Sequence, residues 1–276
     1  MLKRKLIRKP RIYLFLILAA TALMASGQSS NIDSSLFMQT EDSLQAKTAP
    51  IEMNKEAADF ANAYIKLHGP MLGDIKERSE TLFPVIDSVF DEAGIPDELK
   101  YLAVIESNLK PSVTSRAGAA GLWQFMPVAG KMYGLKMSKG NDERRHIYKS
   151  TVAAASLLKD LYKQFDNWLL VLAAYNSGPG NMRRAMKKAN STDFWVLQNY
   201  LPAETRKHVK KFISMHYYFE GGISEVCLSP NELALYESKT SLASADIKKE
   251  EPVANANPLP ATPDSKPKQP VMDVKQ

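Results

Sequence analysis

The spacing of apolar residues follows the period of an α-helix through most of the chain, from residue 52 to residue 218. In residues 151–165, apolar side chains recur every three or four positions and would share one helix face. No stretch alternates between apolar and polar residues and then turns, as a β-hairpin does. The pattern therefore predicts an all-α fold. The predicted helices cover residues 52–68, 81–93, 98–107, 127–133, 151–165, 168–175, 179–188 and 204–218.

The two ends of the chain lack this pattern. Residues 1–27 contain a basic stretch, an apolar segment from Ile12 to Met24 and then small residues, which together predict a signal peptide. An uncleaved anchor is the alternative, although the segment is short for a membrane span. Residues 28–51 are polar and predict a linker. Residues 231–276 are rich in proline, and we predict a disordered tail there.

Two parts are expected between these ends. Residues 52–96 form an N-terminal helical segment, and residues 97–230 form the main domain. The aromatic side chains of Phe60, Phe83 and Phe90 need cover from water. We therefore expect the N-terminal segment to pack against the main domain.

Charge is unevenly distributed along the chain. The formal net charge is +6, but residues 1–27 hold six basic residues and no acidic ones. Residues 101–215 hold 18 Lys and Arg against 7 Asp and Glu. A basic surface of this kind attracts anionic partners, and both peptide-bearing glycans and nucleic acids qualify. The single cysteine, Cys227, has no partner for an intrachain disulfide, and we interpret it as a small apolar residue.

One acid follows a run of apolar residues in the segment YLAVIESNLKPS. Glu106 comes directly after Leu102–Ile105 and before helix-breaking residues at Asn108 and Pro111. By position alone, a solvated helix end is the favoured interpretation. The alternative is a carboxyl group held partly out of water. Desolvation raises the pKa of a carboxyl group, which would keep a catalytic acid protonated near neutral pH.

Three further segments follow in order: SRAGAAGLWQFMP, LAAYNSGPGNM and LPAETRKHV. Together with IESNLKPS they resemble the lytic transglycosylases of peptidoglycan, the family that shares the soluble lytic transglycosylase (SLT) domain and a goose-type-lysozyme-like fold. The segments DNWLLVLAAYN and DFWVLQNYLPAETRKHV are most similar to the membrane-bound lytic murein transglycosylase D subgroup. The resemblance covers about residues 97–220 and implies a lysozyme-like helical domain.

The resemblance implies that Glu106 is the catalytic residue. In this family one glutamic acid protonates the bond between N-acetylmuramic acid (MurNAc) and N-acetylglucosamine (GlcNAc). The 2-acetamido oxygen stabilises the cationic centre, and the same glutamate then deprotonates the 6-hydroxyl that attacks C1. The product is a 1,6-anhydro sugar, formed without water. Two alternatives stay open, namely a muramidase that uses water and a non-catalytic peptidoglycan-binding protein.

The resemblance also implies a set of glycan-binding residues, which are Ser107, Gln124, Met126, Tyr175, Asn176 and Glu204. Helix capping is the alternative for Ser107, Gln124, Tyr175 and Asn176. For Glu204 the alternative is an acid at a helix N-terminus, where the helix dipole favours negative charge. Four aromatic residues are candidates to stack on sugar rings, with a core position favoured for the third: Trp123, Tyr133, Trp168 and Tyr200.

No cofactor or metal is expected. The histidines, His68, His146, His208 and His216, lack metal-binding spacings such as HExxH. The expected partners are peptidoglycan glycan strands and, as candidates, proteins of the cell-wall machinery. An exported chain disfavours nucleic acid as a partner. We expect a monomer in the periplasm, with membrane association as an open alternative.

Overall fold

A computed structural model describes residues 51–250, with side chains described for residues 51–242. The predicted signal peptide, the predicted linker up to residue 50 and the tail beyond residue 250 lie outside the described residues. The all-α prediction is confirmed. The described helices are α1 (Lys55–Ala93), α2 (Tyr101–Ser107), α3 (Pro127–Met132), α4 (Ile147–Phe165), α5 (Trp168–Ser177), α6 (Pro179–Ala189), α7 (Phe194–Leu197), α8 (Ala203–Glu220) and α9 (Pro230–Glu250).

The remaining regular structure is short. Two-residue strands β1 (Met137–Ser138) and β2 (Asn141–Asp142) pair antiparallel. Short 3₁₀-helices lie between the longer elements, at Asp97–Lys100, Glu143–Arg145, Gln198–Tyr200 and Glu225–Cys227. None of the helices in the described part of the chain has the combination of length and apolar character that a membrane span needs.

Helix α1 is one continuous helix of 39 residues, whereas the sequence predicted a stop at Gly69. Gly69 does not adopt the left-handed conformation that ends the helix at Gly94. Pro70 removes one backbone hydrogen bond but does not end the helix. Buried side chains on both sides, such as Ala61 and Leu72, pack into the same core. Tertiary packing therefore outweighs the local signal, and α1 packs against α4 and α8 as expected.

Helix α5 runs through the centre of the domain. Its residues from Trp168 to Ala174 are all buried, in agreement with their uniformly apolar sequence. The Asn167 side chain caps the helix by accepting hydrogen bonds from the backbone N–H groups of Leu169 and Leu170. Helices α4, α6 and α8 pack around α5. The central position of α5 fixes Tyr175 and Asn176 at its last turn.

Helix α9 covers part of the segment that was predicted to be disordered. Residues 231–250 are helical, and the prediction of a disordered segment is wrong for them. The Ser229 hydroxyl accepts a hydrogen bond from the Glu232 backbone, and the Glu232 carboxylate accepts one from the Ser229 backbone. This reciprocal pair is a capping box, and Pro230 stands at the first helical position, where proline is favoured. The prolines that suggested disorder all lie beyond residue 250.

Candidate active site

Glu106 lies at the last turn of α2, a helix whose other residues are mostly buried. Leu102, Ala103 and Val104 are shielded from solvent, and the Glu106 side chain is 15% exposed. The chain leaves the helix at Asn108, which adopts a left-handed conformation with a φ of 51°. The carboxyl group is therefore held at the edge of the core instead of being solvated at a helix end. The structure therefore supports the interpretation that position alone did not favour, namely a carboxyl group held partly out of water.

His208 of α8 is the group that hydrogen-bonds Glu106. The distance between His208 Nε2 and Glu106 Oε1 is 2.8 Å, and the His208 side chain is only 9% exposed. His208 is not among the residues predicted from the sequence, because the spacing of the histidines was compared only with metal-binding motifs. The available signal was its place in the ETRKHV segment, where it stands one helical turn after Glu204 on the same face.

Segment 115–127 forms a compact loop beside α2. Ala120 makes single β-bridges to Thr114 and Phe125, and Gln124 has a φ of 48°. The Gln124 amide donates a hydrogen bond to the Gly121 carbonyl at 2.8 Å. Gln124 is thus partly buried, and part of its amide is used by the loop itself. Its role in glycan binding stays a prediction.

Arg144, in the 3₁₀-helix that follows β2, donates hydrogen bonds to this loop. Its Nη1 donates to the Gly118 carbonyl at 2.8 Å and to the Phe125 carbonyl at 2.9 Å. Its Nε and Nη2 atoms bond the two oxygens of Asp142 at 2.9 and 2.7 Å. This paired geometry fixes the guanidinium group. The arrangement ties the loop to the region after β2.

Ser107 and Tyr175 connect the loop to helices α2 and α5. Ser107 Oγ lies 2.9 Å from the Leu122 carbonyl oxygen and 3.0 Å from that of Ala103. The Tyr175 hydroxyl donates to the Trp123 carbonyl at 2.6 Å. Burial raises the pKa of the Tyr175 hydroxyl, and the charge of Glu106 raises it further. Both residues therefore fix the backbone around Glu106, and contact of either with a glycan stays a prediction.

Asn176, Glu204 and Met126 complete the predicted set. Asn176 Oδ1 accepts a hydrogen bond from Thr205 at 2.8 Å, which joins α5 to α8. Glu204 is exposed in the first turn of α8, and the Met126 side chain is 45% exposed at the start of α3. These two exposed side chains are free to meet a ligand.

The four aromatic candidates separate into core and surface. Trp123 is fully buried and donates from Nε1 to the Thr151 hydroxyl at 3.0 Å, so it is a core residue and not a stacking surface. Trp168 is also buried, as favoured. Tyr133 is partly buried, and its hydroxyl lies 3.4 Å from an Asp160 oxygen. Tyr200 is 53% exposed and is the candidate most open to solvent.

Most other acids of the main domain have contacts of their own. The pairs are Asp142 with Arg144, Glu143 with Lys149, Asp160 with Lys163, and Asp193 with the backbone of Trp195. Glu204, one turn before His208 on α8, is exposed and has no such contact among the described residues. Across residues 51–242, no group of three His, Cys, Asp or Glu side chains is arranged to hold a metal ion.

The helical core and the half-buried acid define a lysozyme-like helical domain. Residues 91–198 match the family described as the transglycosylase SLT domain. The fold is similar to that of the 70-kDa soluble lytic transglycosylase solved in complex with bulgecin A, with a TM-score of 0.50 and 23% identity. That match covers 63% of this chain and 31% of the solved one.

Two relatives extend the comparison. Membrane-bound lytic murein transglycosylase D of Escherichia coli is 41% identical over 149 residues, which are 52% of this chain and 32% of the relative. A protein of Alteromonas sp. named for tributyltin chloride resistance is 30% identical over 149 residues, 52% of this chain and 72% of the relative. This chain belongs to the transglycosylase SLT domain family. It spans about a third of the length of the E. coli relative.

Proposed function

We propose that this protein is a peptidoglycan lytic transglycosylase that cleaves the β-1,4 bond between MurNAc and GlcNAc without water and leaves 1,6-anhydroMurNAc ends. Family membership supports the substrate class. The observation that carries the proposal is the half-buried carboxyl group of Glu106 at the end of α2. A glycosidic bond breaks when an acid protonates the leaving oxygen, and a carboxyl group partly shielded from water suits that role.

In the proposed reaction Glu106 acts twice. It first gives its proton to the glycosidic oxygen, which leaves C1 of MurNAc with the electron pair of the bond. The 2-acetamido oxygen of the same sugar stabilises the positive charge at C1. Glu106, now a carboxylate, then takes the proton of the 6-hydroxyl, whose oxygen bonds to C1. Attack within one sugar ring benefits from a high effective concentration when the site holds the ring in position.

The absence of a dedicated second carboxylate supports this mechanism over a paired one. Ordinary glycosidases use two acids, about 5–10 Å apart. Among the described acids of residues 142–204, the pairs named above occupy four, and Asp166 ends α4 in an exposed left-handed position. Glu204 is the remaining candidate, and its exposure favours a role in holding the sugar.

We propose a binding role for the other site residues predicted from the sequence. Gln124, Asn176 and Glu204 offer amides and a carboxylate to the acetamido and hydroxyl groups of a glycan. Met126 offers an exposed apolar contact. Ser107 and Tyr175 would contribute mainly by fixing the backbone between them, because their hydroxyls are already bonded to it.

Digestion of purified peptidoglycan sacculi tests the proposal. The released fragments are separated and weighed by mass spectrometry, for the parent protein and for Glu106→Gln. We expect anhydro ends from the parent and a rate lower by about 100-fold or more from Glu106→Gln, since a general acid contributes about that much. Reducing ends would indicate a muramidase, and no cleavage by the parent would indicate a binding protein.

A matched variant controls for the change from carboxyl to amide. Glu77→Gln alters an exposed acid on α1 and should digest sacculi at the parent's rate. Circular dichroism should show that Glu106→Gln melts within a few degrees of the parent. If Glu106→Gln digests as fast as Glu77→Gln, Glu106 is not the acid.

We also propose that the protein acts outside the cytoplasm, where peptidoglycan lies. The predicted signal peptide at residues 1–27 supports this location, as does the membrane-bound E. coli relative. Cell fractionation with an antibody tests it. Recovery of the full-length chain in the cytoplasmic fraction would contradict the proposed location.

A further inference from the structure

We propose that His208 is a positioning residue that determines which oxygen of Glu106 carries the catalytic proton. The proposal rests on the proposed function and adds to it a group outside the set derived from the sequence. Its basis is the 2.8 Å contact between His208 Nε2 and Glu106 Oε1, between two side chains that are both largely buried. The other carboxyl oxygen, Oε2, has no hydrogen-bond partner among the described residues.

The helix that carries His208 is fixed on both sides of it. One turn earlier, the Thr205 hydroxyl donates to Asn176 of α5 at 2.8 Å. Val209 and Phe212, on the following turn, are fully buried in the core. Helix α8 also packs directly against α2, which carries Glu106. The imidazole ring is therefore held against the carboxyl group by the fold and has little freedom to leave it.

The other ring nitrogen indicates the tautomer. His208 Nδ1 is buried and has no hydrogen-bond partner among the described residues. A proton on Nδ1 would be a buried donor without an acceptor, which is costly. A bare Nδ1 loses only a weak acceptor contact. We infer that the proton of the neutral ring is on Nε2, from which it is donated to Glu106 Oε1.

An Nε2–H donor suits both states of Glu106 in the reaction. In the acid, Oε1 is the carbonyl oxygen and accepts the hydrogen bond, so the acidic proton is on Oε2. In the carboxylate, Oε1 is still an acceptor and the bond is kept. Oε2 therefore gives the proton to the glycosidic oxygen and later takes the proton of the 6-hydroxyl. His208 gains and loses no proton in this cycle.

The opposite tautomer would hinder the reaction. With its proton on Nδ1, His208 would present a bare Nε2 to the carboxyl group. The acidic proton of Glu106 would then be donated to Nε2, away from the glycosidic oxygen. We therefore expect loss of the His208 donor to slow the chemical step, whereas binding of the glycan should depend on other residues.

Two substitutions separate the donor from the bulk of the ring. His208→Leu replaces the ring with an apolar side chain of similar size and removes the donor. His208→Gln places an amide N–H at about the same reach. We expect His208→Leu to lower kcat by about 10- to 100-fold with KM changed less than about threefold, because a hydrogen bond to an ionised group is lost. We expect His208→Gln to recover most of kcat.

His216 provides the matched control. It is the second buried histidine of α8, two turns further along, and it contacts the Gly222 carbonyl and the Ser224 hydroxyl. His216→Leu should lower the melting temperature and leave kcat of the folded protein unchanged. If His208→Leu keeps the parent's kcat, or if His208→Leu and His208→Gln lose it equally, the donor role is wrong.

A nitrogen NMR spectrum tests the tautomer without any substrate. Uniform ¹⁵N labelling and a long-range ¹H–¹⁵N spectrum distinguish a protonated from a bare ring nitrogen, with His208→Gln assigning the signals. We expect one bare nitrogen at Nδ1 and one protonated nitrogen at Nε2. Two equivalent nitrogens, or a proton on Nδ1, would overturn the proposal even in a protein that digests sacculi. Failure of the parent to digest sacculi would instead overturn the proposed function.

Discussion

Gly121 occupies the point where the loop beside Glu106 meets the backbone of Arg144. Its φ is +83°, and a Cβ atom there would lie 1.8 Å from the Arg144 carbonyl oxygen. Gly118 has a similar φ of +89° but has open space where a Cβ would be. Both positions need the left-handed conformation, and Gly121 also needs the missing side chain.

These two glycines give a matched pair of substitutions. We expect Gly118→Ala to lower the free energy of unfolding by about 1–2 kcal/mol, the cost of the left-handed conformation. Gly121→Ala should cost about 3 kcal/mol or more, since backbone atoms must also move apart. Denaturant unfolding measures both values. Equal costs would show that the close approach to Arg144 does not constrain the fold.

Site residues that lie within one recognisable sequence segment could be predicted from the sequence. Contacts between residues of distant segments could not. Glu106 was identified because the apolar run before it, and the motifs after it, are visible in the chain. His208 lies 102 residues away from Glu106. Its place in the ETRKHV segment indicates a site residue but does not indicate its contact with Glu106. Trp123 suggested a stacking surface by its type, but only the fold shows that its ring is enclosed and bonded to Thr151.

The loop of residues 115–127 is stabilised by residues next to β2, a contact that was not predicted from the sequence. Arg144, which follows β2 and pairs with Asp142, donates hydrogen bonds to two of the loop's carbonyl groups. The Arg144 guanidinium holds the pKa of the Asp142 carboxyl group below its ordinary value, mainly through their hydrogen bonds. The ion pair therefore stabilises the folded state more strongly when Asp142 is ionised.

The pH dependence of the stability of the Asp142→Asn variant tests the contribution of this ion pair. The folded-state pKa is below the unfolded value of about 3.9, so the stabilisation is present above about pH 4. It is lost as the pH falls through the folded-state pKa. We expect Asp142→Asn to cost about 1–3 kcal/mol at pH 7, and the gap in melting temperature to close in more acidic solution.

Asp59→Asn is the control for Asp142, because Asp59 pairs with Lys55 on the exposed face of α1. Its melting temperature should follow the parent at every pH. A gap for Asp142→Asn that persists unchanged to the lowest pH at which the parent folds would contradict the ionic account.

Helix ends were harder to predict than helix faces. The predicted start of α4 is at residue 151, and the helix begins at Ile147, where the His146 side chain accepts a hydrogen bond from the Lys149 backbone. Gly69 was predicted to end a helix, but α1 continues through it. The capping box of Ser229 and Glu232 is present in the sequence, but the proline-rich segment that follows led us to predict disorder there. The predicted face of α4 is right for most of its residues because burial of one apolar stripe sets it, but Val152 is 41% exposed.

At the scale of the whole molecule, α1 belongs to the domain although the family match begins at residue 91. Leu72, Ile75 and Ile86 are completely buried, and the ring of Phe90 lies 5.5 Å from that of Trp123. This contact links α1 to the loop beside Glu106. The expectation that the N-terminal segment packs on the main domain agrees with these contacts.

Removal of residues 1–93 therefore tests whether α1 is part of the folding unit. We expect the shortened chain to lack a cooperative thermal transition, because large apolar surfaces on α4 and α8 would be exposed. A chain of residues 51–250 keeps α1 and should melt cooperatively. A shortened chain that melts like the longer one would show that α1 is an accessory to an independent domain.

Digestion of sacculi in H₂¹⁸O tests whether the cleavage that we assign to Glu106 proceeds without water. Mass spectrometry of the new MurNAc ends then shows whether solvent oxygen enters the product. We expect anhydro ends free of ¹⁸O from the parent, and loss of these products from Glu106→Gln. New ends that carry ¹⁸O would contradict this expectation, because they would show that water attacks C1.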